Sequence, residues 1–381
     1  MSNWKETAIR SQDAEGYLLL EDGECYEGRL AAGLDGGLGE AVFTTNHTGY
    51  QEVLTDPSFA GQIVVMTAPM VGNYGTRHED AQSRRSWVAG FVVRRLSDGS
   101  PCGREPLRAY LGRHEIPTLV GADTRAITRH IREAGAMRAG IFRASVPRAV
   151  ASSRVASEPA MAGRDLATAV TTPEAYELDP PGATNGRVVC LDYGVKRRSL
   201  DLIREAGYSV LVMPASTALA DVLAAGPAGL FVSNGPGDPD AVPDAPEIIR
   251  SVSDAGVPVF GICLGLQLIA KAFGGRTFKL PYGHRGGNHP VMKLDTGTVE
   301  ITSQNHGFAV LGSSETVDGA AELRVSHVNL NDGTIEGLTH GSRAVFAVQY
   351  HPESAPGPHD SRYLFDRFAE AMRTTASTAT G

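Results

Sequence analysis

A cysteine between two glycines, Gly261-Ile-Cys263-Leu-Gly265, stands where an apolar run, Val257-Pro-Val-Phe-Gly261, gives way to a helical pattern over Leu264–Phe273. This is the cysteine form of a nucleophile elbow. The chain turns sharply at the nucleophile, and glycines on either side let backbone pass close without a Cβ. The helix that follows aims amide N–H groups and its positive dipole end at the sulfur, which favours negative charge there. A cysteine nucleophile needs a base, and the base needs an orienting group. Val345-Phe-Ala-Val-Gln-Tyr350 reads as a buried strand, and His351-Pro-Glu353 ends it, because proline stops the ladder. His351 and Glu353 point the same way in extended chain. Glu353 is thus placed to hold one imidazole nitrogen while the other faces Cys263. A third segment, Ser233-Asn-Gly-Pro-Gly-Asp-Pro239, follows the apolar strand from Gly229 and offers loop amides suited to an oxyanion. Each segment alone has a plainer reading: a cysteine packed as a small hydrophobe, a strand end, a βα turn. Their conjunction matters, since open α/β sheets gather functional groups at the carboxyl ends of parallel strands.

The elements that must carry these groups alternate. Strand patterns at Arg187–Asp192, Ser209–Met213, Gly229–Ser233 and Val257–Gly261 are separated by helical patterns reaching Ala206, Ala225 and the region of Ile248. That alternation predicts a doubly wound, mostly parallel sheet. Upstream the pattern is mixed α/β and strand-rich: Tyr17–Leu20, an Asp22-Gly23 turn, Ala41–Thr44 and Ile63–Thr67. Asp123 reads as the N-cap of a helix over Thr124–Ala134 that Gly135 closes. Between the two regions, 149–186 is dominated by Ala, Ser, Thr, Pro and Gly, with a short helical stretch around Arg164–Ala169. The expected organisation is a polar tail (1–15), a smaller strand-rich domain (16–148), a linker (149–186) and an α/β domain (187–381).

Composition narrows the function. The net charge of −8 argues against nucleic-acid or anionic-membrane binding. Cys25, Cys102, Cys190 and Cys263 show no CxxC spacing, so neither a zinc site nor a disulfide framework is expected. A free catalytic thiol suits a reducing cytoplasm. No apolar run approaches the roughly 18 residues of a membrane helix, and the polar N-terminus does not read as a secretory signal. His284 and His289 lack an acidic or cysteine companion in their glycine-rich loop, so no metal is expected there. His306 reads as a packing or interface residue.

The motifs carry a resemblance. Ser233–Pro239, Gly261–Gly265 with Gln267, and Gln349-Tyr-His-Pro-Glu353 resemble segments of class I, triad-type glutamine amidotransferases. Gly283-His-Arg-Gly-Gly-Asn-His-Pro290 and Ile301-Thr-Ser-Gln-Asn-His-Gly-Phe308 are narrower. Narrowest is Thr48-Gly-Tyr-Gln-Glu52 with Leu54-Thr-Asp-Pro57, which points to the small (glutaminase) subunits of carbamoyl-phosphate synthetase. The resemblance runs from Gly16 to Arg373. It implies a Cys263–His351–Glu353 triad that hydrolyses glutamine through a thioester, with an oxyanion held by backbone at Leu264, Gly235 and Gly237. It implies that Gln267, Asn305, Gly307, Phe308 and Asn46 grip glutamine. It further implies a large synthetase subunit as partner, docked through the N-terminal domain and fed ammonia for arginine and pyrimidine synthesis. No GxxxxGK[ST] phosphate loop is present, so no cofactor is expected in this chain, and ATP and magnesium are expected on the large subunit.

Several residues depart from the family pattern: Asn46 where serine is common, His47 for methionine, Leu266 for histidine, and the stretch 96–108. These leave room for a paralogue that feeds a different synthase. A non-catalytic regulatory scaffold is the alternative from another class, and an intact Cys263, His351 and Glu353 argue against it.

Overall fold

The computed structural model describes residues 13–31, 34–101 and 103–379, so most of the expected tail and Cys102 lie outside the described residues. The chain divides into two units, Met1–Met161 and Ala162–Gly381.

The first unit is a closed barrel. Its strands are β1 (Ala14–Leu20), β2 (Cys25–Leu30), β3 (Leu38–Thr44), β4 (Gln62–Met66), β5 (Gly90–Val93), β6 (Thr118–Val120) and β7 (Met137–Arg143), ordered β1-β2-β6-β5-β4-β3-β7. Helices α1 (Tyr50–Thr55), α2 (Leu107–Arg113), α3 (Thr124–Ala134) and α4 (Arg148–Ser157) accompany them. Side chains alternate across each strand. On β1, Tyr17 and Leu19 pack with Phe142, Ala151 and Val155. Leu18, buried, lies opposite Ile141 where β1 pairs β7 and closes the barrel. Asp123 caps α3 by accepting from the Ala126 N–H at 3.0 Å, and Gly135 ends it, as its sequence indicates.

The second unit adds α5 (Ala167–Val170), β8 (Tyr176–Leu178), β9 (Arg187–Asp192), α6 (Arg197–Glu205), β10 (Ser209–Pro214), α7 (Leu219–Ala224), β11 (Gly229–Val232), α8 (Ala245–Asp254), β12 (Val259–Ile262) and α9 (Leu264–Ala272). Then come β13 (Thr277–Lys293), β14 (Thr298–Val310), β15 (Leu323–Asn329), β16 (Ile335–His340), β17 (Val345–Val348) and α10 (Tyr363–Ala379). They form a 10-stranded sheet, β14-β13-β15-β16-β17-β12-β11-β9-β10-β8. The run β17-β12-β11-β9-β10 is parallel, and the strands outside it pair antiparallel. The parallel strands read as almost unbroken apolar runs because both faces are covered. Val189, Leu191, Leu230, Val232 and Val259 pack with α8 and α9. Val188, Cys190, Phe231, Phe260 and Ile262 pack with α6 and α10.

The stretch 149–186, read from composition as a linker, is instead built into both units. Helix α4 packs Ala151 and Val155 on the barrel, and β8 pairs antiparallel with β10. Arg187 and Glu177 reinforce that edge at 2.8 Å.

Candidate active site

Strand register brings the site together. Ile262 of β12 lies beside Val348 of β17, so the residues just beyond each strand share the sheet's carboxyl edge. The Cys263 N–H donates to the Val348 carbonyl at 2.8 Å, and the His351 N–H to the Ser303 carbonyl at 2.8 Å. Cys263 has φ 56° and ψ −105°. For a residue with a Cβ this conformation costs about 1–3 kcal/mol and persists only where its surroundings enforce it. They do so here: a Cβ on Gly265 would meet the Val232 carbonyl oxygen at 2.1 Å, and one on Gly261 would meet the Gly265 carbonyl carbon at 2.8 Å. Strand, turn and helix can approach this closely only with glycine at both positions.

His351 Nδ1 lies 2.7 Å from Glu353 Oε1, and both side chains are wholly buried. Nδ1 therefore carries a proton, and Nε2 is buried without a hydrogen-bond partner. Cys263 is, with Glu353 and Lys196, one of the groups that act on this ring. Contacts of this kind often tighten only when substrate is bound. The thiol otherwise lies 3.5 Å from the Asn305 carbonyl. Burial and Lys196 press the His351 imidazolium down, but Glu353 and the neighbouring Cys263 side chain outweigh them and its pKa is raised. Burial pushes the Glu353 carboxyl up, yet Lys196 and His351 hold it well below the usual carboxylate range. Cys190 is enclosed in the sheet, where burial drives its thiol pKa well up.

Lys196 was not singled out by its sequence. Its ammonium lies 3.0 Å from Glu353 Oε1 and donates to the Ala355 carbonyl at 3.2 Å, and the side chain is 2 % exposed. Position offers the one available signal, since Lys196 follows the carboxyl end of β9, an edge where functional groups collect.

The expected glutamine-gripping residues of the second unit gather on α9 and β14. Gln267 Nε2 donates to the Phe308 carbonyl at 2.8 Å and to Gln349 Oε1 at 3.1 Å. Gln349, fully buried, is a second residue that sequence reasoning did not select. Asn305, Gly307 and Phe308 succeed one another along β14, with the Asn305 carbonyl reaching Cys263. Leu264 opens α9, where a helix leaves backbone N–H groups unpaired. Gly235 passes so close to Tyr193 that a Cβ would sit 2.2 Å from its carbonyl oxygen, and Gly237 has φ 88°. Asn234 braces this loop by donating to the Gly194 carbonyl at 2.8 Å. Asn46 belongs to the first unit, just past β3, with its N–H on Thr44 Oγ1 at 3.4 Å.

Comparison with known proteins is concordant along the chain. Residues 189–371 match the family model for class-I glutamine amidotransferases, and residues 18–141 match that for the carbamoyl-phosphate synthase small chain, CPSase domain. A carbamoyl phosphate synthase small chain of Syntrophotalea carbinolica is 46% identical over 369 residues, covering 93% of this chain and 97% of that one. One from Chlorobaculum tepidum is 46% identical, covering 95% and 98%. One from Streptomyces coelicolor is 47% identical, covering 93% and 95%.

Proposed function

The chain belongs to the carbamoyl-phosphate synthase small-chain family, and we propose that it hydrolyses glutamine at Cys263 and passes the ammonia to a large synthetase subunit. The observation that carries this reading is the strained cysteine at a strand–helix elbow beside a buried His351–Glu353 pair 2.7 Å apart. The Cys263 thiolate attacks the side-chain amide carbon of glutamine. Backbone N–H groups at Leu264 and in the Gly235–Gly237 loop hold the oxyanion. The raised His351 arrives protonated and donates to the departing ammonia. Now neutral, it removes a proton from water as that water attacks the γ-glutamyl thioester, and glutamate leaves. Glu353 fixes the ring through Nδ1–H, and Lys196 anchors Glu353. Gln267, Asn305, Gly307 and Phe308 line the glutamine pocket.

Free ammonia is protonated and diluted in water and makes a poor nucleophile, so hydrolysis is useful only when coupled to its consumer. The partner is the large subunit, which binds ATP and magnesium and uses bicarbonate; the triad chemistry calls on no cofactor or metal. The setting is the cytoplasm, and the product serves arginine and pyrimidine synthesis. No helix among the described residues is long and apolar enough to cross a membrane. The test is glutamate release by the purified chain with and without a large subunit. Weak turnover that rises sharply with the large subunit, ATP and bicarbonate is expected. No turnover in a stable complex would overturn the proposal in favour of a scaffold.

A further inference from the structure

On the antiparallel side of the second unit's sheet, β13, β14 and β16 bring together ligand atoms that glutamine hydrolysis does not use. His284, His306 and Glu336 are buried, and one ligand atom from each lies within 4.8 Å of the others. The loop that carries His284 has no acidic residue of its own; Glu336 and Asp332 reach it from a hairpin distant in sequence. Hydrogen bonds decide which nitrogens carry protons and which carry lone pairs. His306 Nδ1 lies 2.8 Å from the Phe308 carbonyl and must donate to it. Its Nε2 then bears the lone pair, and it is buried without a partner. His284 Nε2 donates to the Asp332 carboxylate at 2.8 Å, while Nδ1 accepts from the Asn329 side-chain amide at 3.4 Å and faces Glu336 Oε1 at 3.5 Å. Each ring thus has one nitrogen held by an oxygen acceptor and the other aimed inward, the usual arrangement of metal-bound histidine. Glu336 is itself fixed, accepting from Asn329 at 2.7 Å and from Gln304 at 2.9 Å.

We propose that His284, His306 and Glu336 bind one divalent transition-metal ion of the zinc class. Two imidazoles and a carboxylate suit such an ion, whereas magnesium and calcium prefer oxygen throughout. Zinc bonds of about 2.0–2.1 Å in a tetrahedron set ligand atoms roughly 3.3 Å apart. The His284–Glu336 pair stands near that spacing at 3.5 Å, and a modest side-chain shift brings in His306. Glu336 and Asp332 balance the ion's charge, and Arg285, the neighbouring cation, is held on the Tyr282 carbonyl at 2.6 Å. His289 Nδ1, buried and unpartnered, is a further donor beside the site, its ring centred 5.2 Å from that of His284. The ion would fix the ring that holds the Phe308 carbonyl, on which Gln267 also rests.

The test is uptake of Zn²⁺, measured calorimetrically, and of Co²⁺, followed by visible absorption, on the chelator-stripped full chain. One ion per chain is expected. His306→Gln and Glu336→Gln should each weaken binding at least about tenfold, and Cys263→Ser should leave it unchanged. Circular dichroism in metal-free buffer identifies a variant that has not folded, and His284→Asn then takes its place. The proposal is overturned if the native chain takes up no ion, if Cys263→Ser abolishes uptake, or if the folded ligand variants bind as tightly as the native chain.

Discussion

Lys196, His351 and Glu353 form a charged chain shut away from water, and burial is what gives each member its weight. The Lys196 ammonium and the His351 ring share one oxygen of Glu353, at 3.0 and 2.7 Å. Removing one partner of a buried pair strands the other charge, at about 3–5 kcal/mol. Lys196→Met should therefore destabilise the protein by about that amount, read from denaturant unfolding. The sign of its effect on the base follows from Coulomb's law: Lys196 lowers the His351 pKa, so its loss raises it further. The alkaline limb of the glutaminase pH profile should move to higher pH in Lys196→Met. A limb that moves down or stays in place would detach Lys196 from the base. The native pair has its own pH window. Glu353 is depressed on folding, so its contribution holds above the usual carboxylate range and fades on acidification. His351 is raised, so its contribution is complete below the usual imidazole pKa and is lost as pH climbs through the folded value. His351→Asn should slow glutamine hydrolysis by roughly 10⁴-fold or more, and near-normal turnover would remove His351 from the chemistry. Cys263, His351 and Glu353 were legible because the elbow and the strand-end pair are local patterns. Lys196 was not, since nothing near it in sequence announces a carboxylate that only the fold supplies.

At the scale of elements, the elbow works by contact between β11, β12 and α9. Gly265 is where the start of α9 touches β11, and the Val232 carbonyl leaves no room for a Cβ at 2.1 Å. Gly265→Ala should push helix and strand apart, costing about 1–3 kcal/mol. It should also tilt the first turn of α9 away from the oxyanion. The expected outcome is a lower melting temperature together with a loss of glutaminase rate that exceeds the loss of folded protein. A variant with a lower melting temperature but full specific activity would confine Gly265 to packing. The alternating strands and helices of 187–272 could be read in advance because each is short, apolar and bounded by turns. The β13–β14 hairpin could not. Its 17-residue strand holds Gly283, Gly286, Gly287 and Pro290 and has register shifts at 279–284 and 286–289, so its sequence reads as loop. Helix α4 was hidden for a different reason. Its buried face consists of Ala151 and Val155, too slight an apolar stripe to stand out in an Ala- and Ser-rich stretch.

For the whole molecule, closure of the barrel depends on β1 pairing both β2 and β7, the latter from the far end of the unit. Such register is a long-range property, and local patterns showed strands there without their order. The division of labour is more open to experiment. If ammonia is made on this chain and consumed on another, the two half-reactions must be separable by one atom. Cys263→Ser is the suitable change, since it replaces sulfur by oxygen at a site only 2 % exposed and leaves the elbow's shape nearly intact. The hydroxyl is a far weaker nucleophile than a thiolate. In the complex with the large subunit, glutamine-dependent carbamoyl phosphate synthesis should fall by roughly 10⁴-fold or more. Synthesis from added ammonium salts should persist at the native rate, because that path never visits Cys263. Loss of both activities would make Cys263 a structural residue whose removal disturbs the partner. Retention of both would place the nucleophile elsewhere, and the strained backbone at Cys263 would need another explanation.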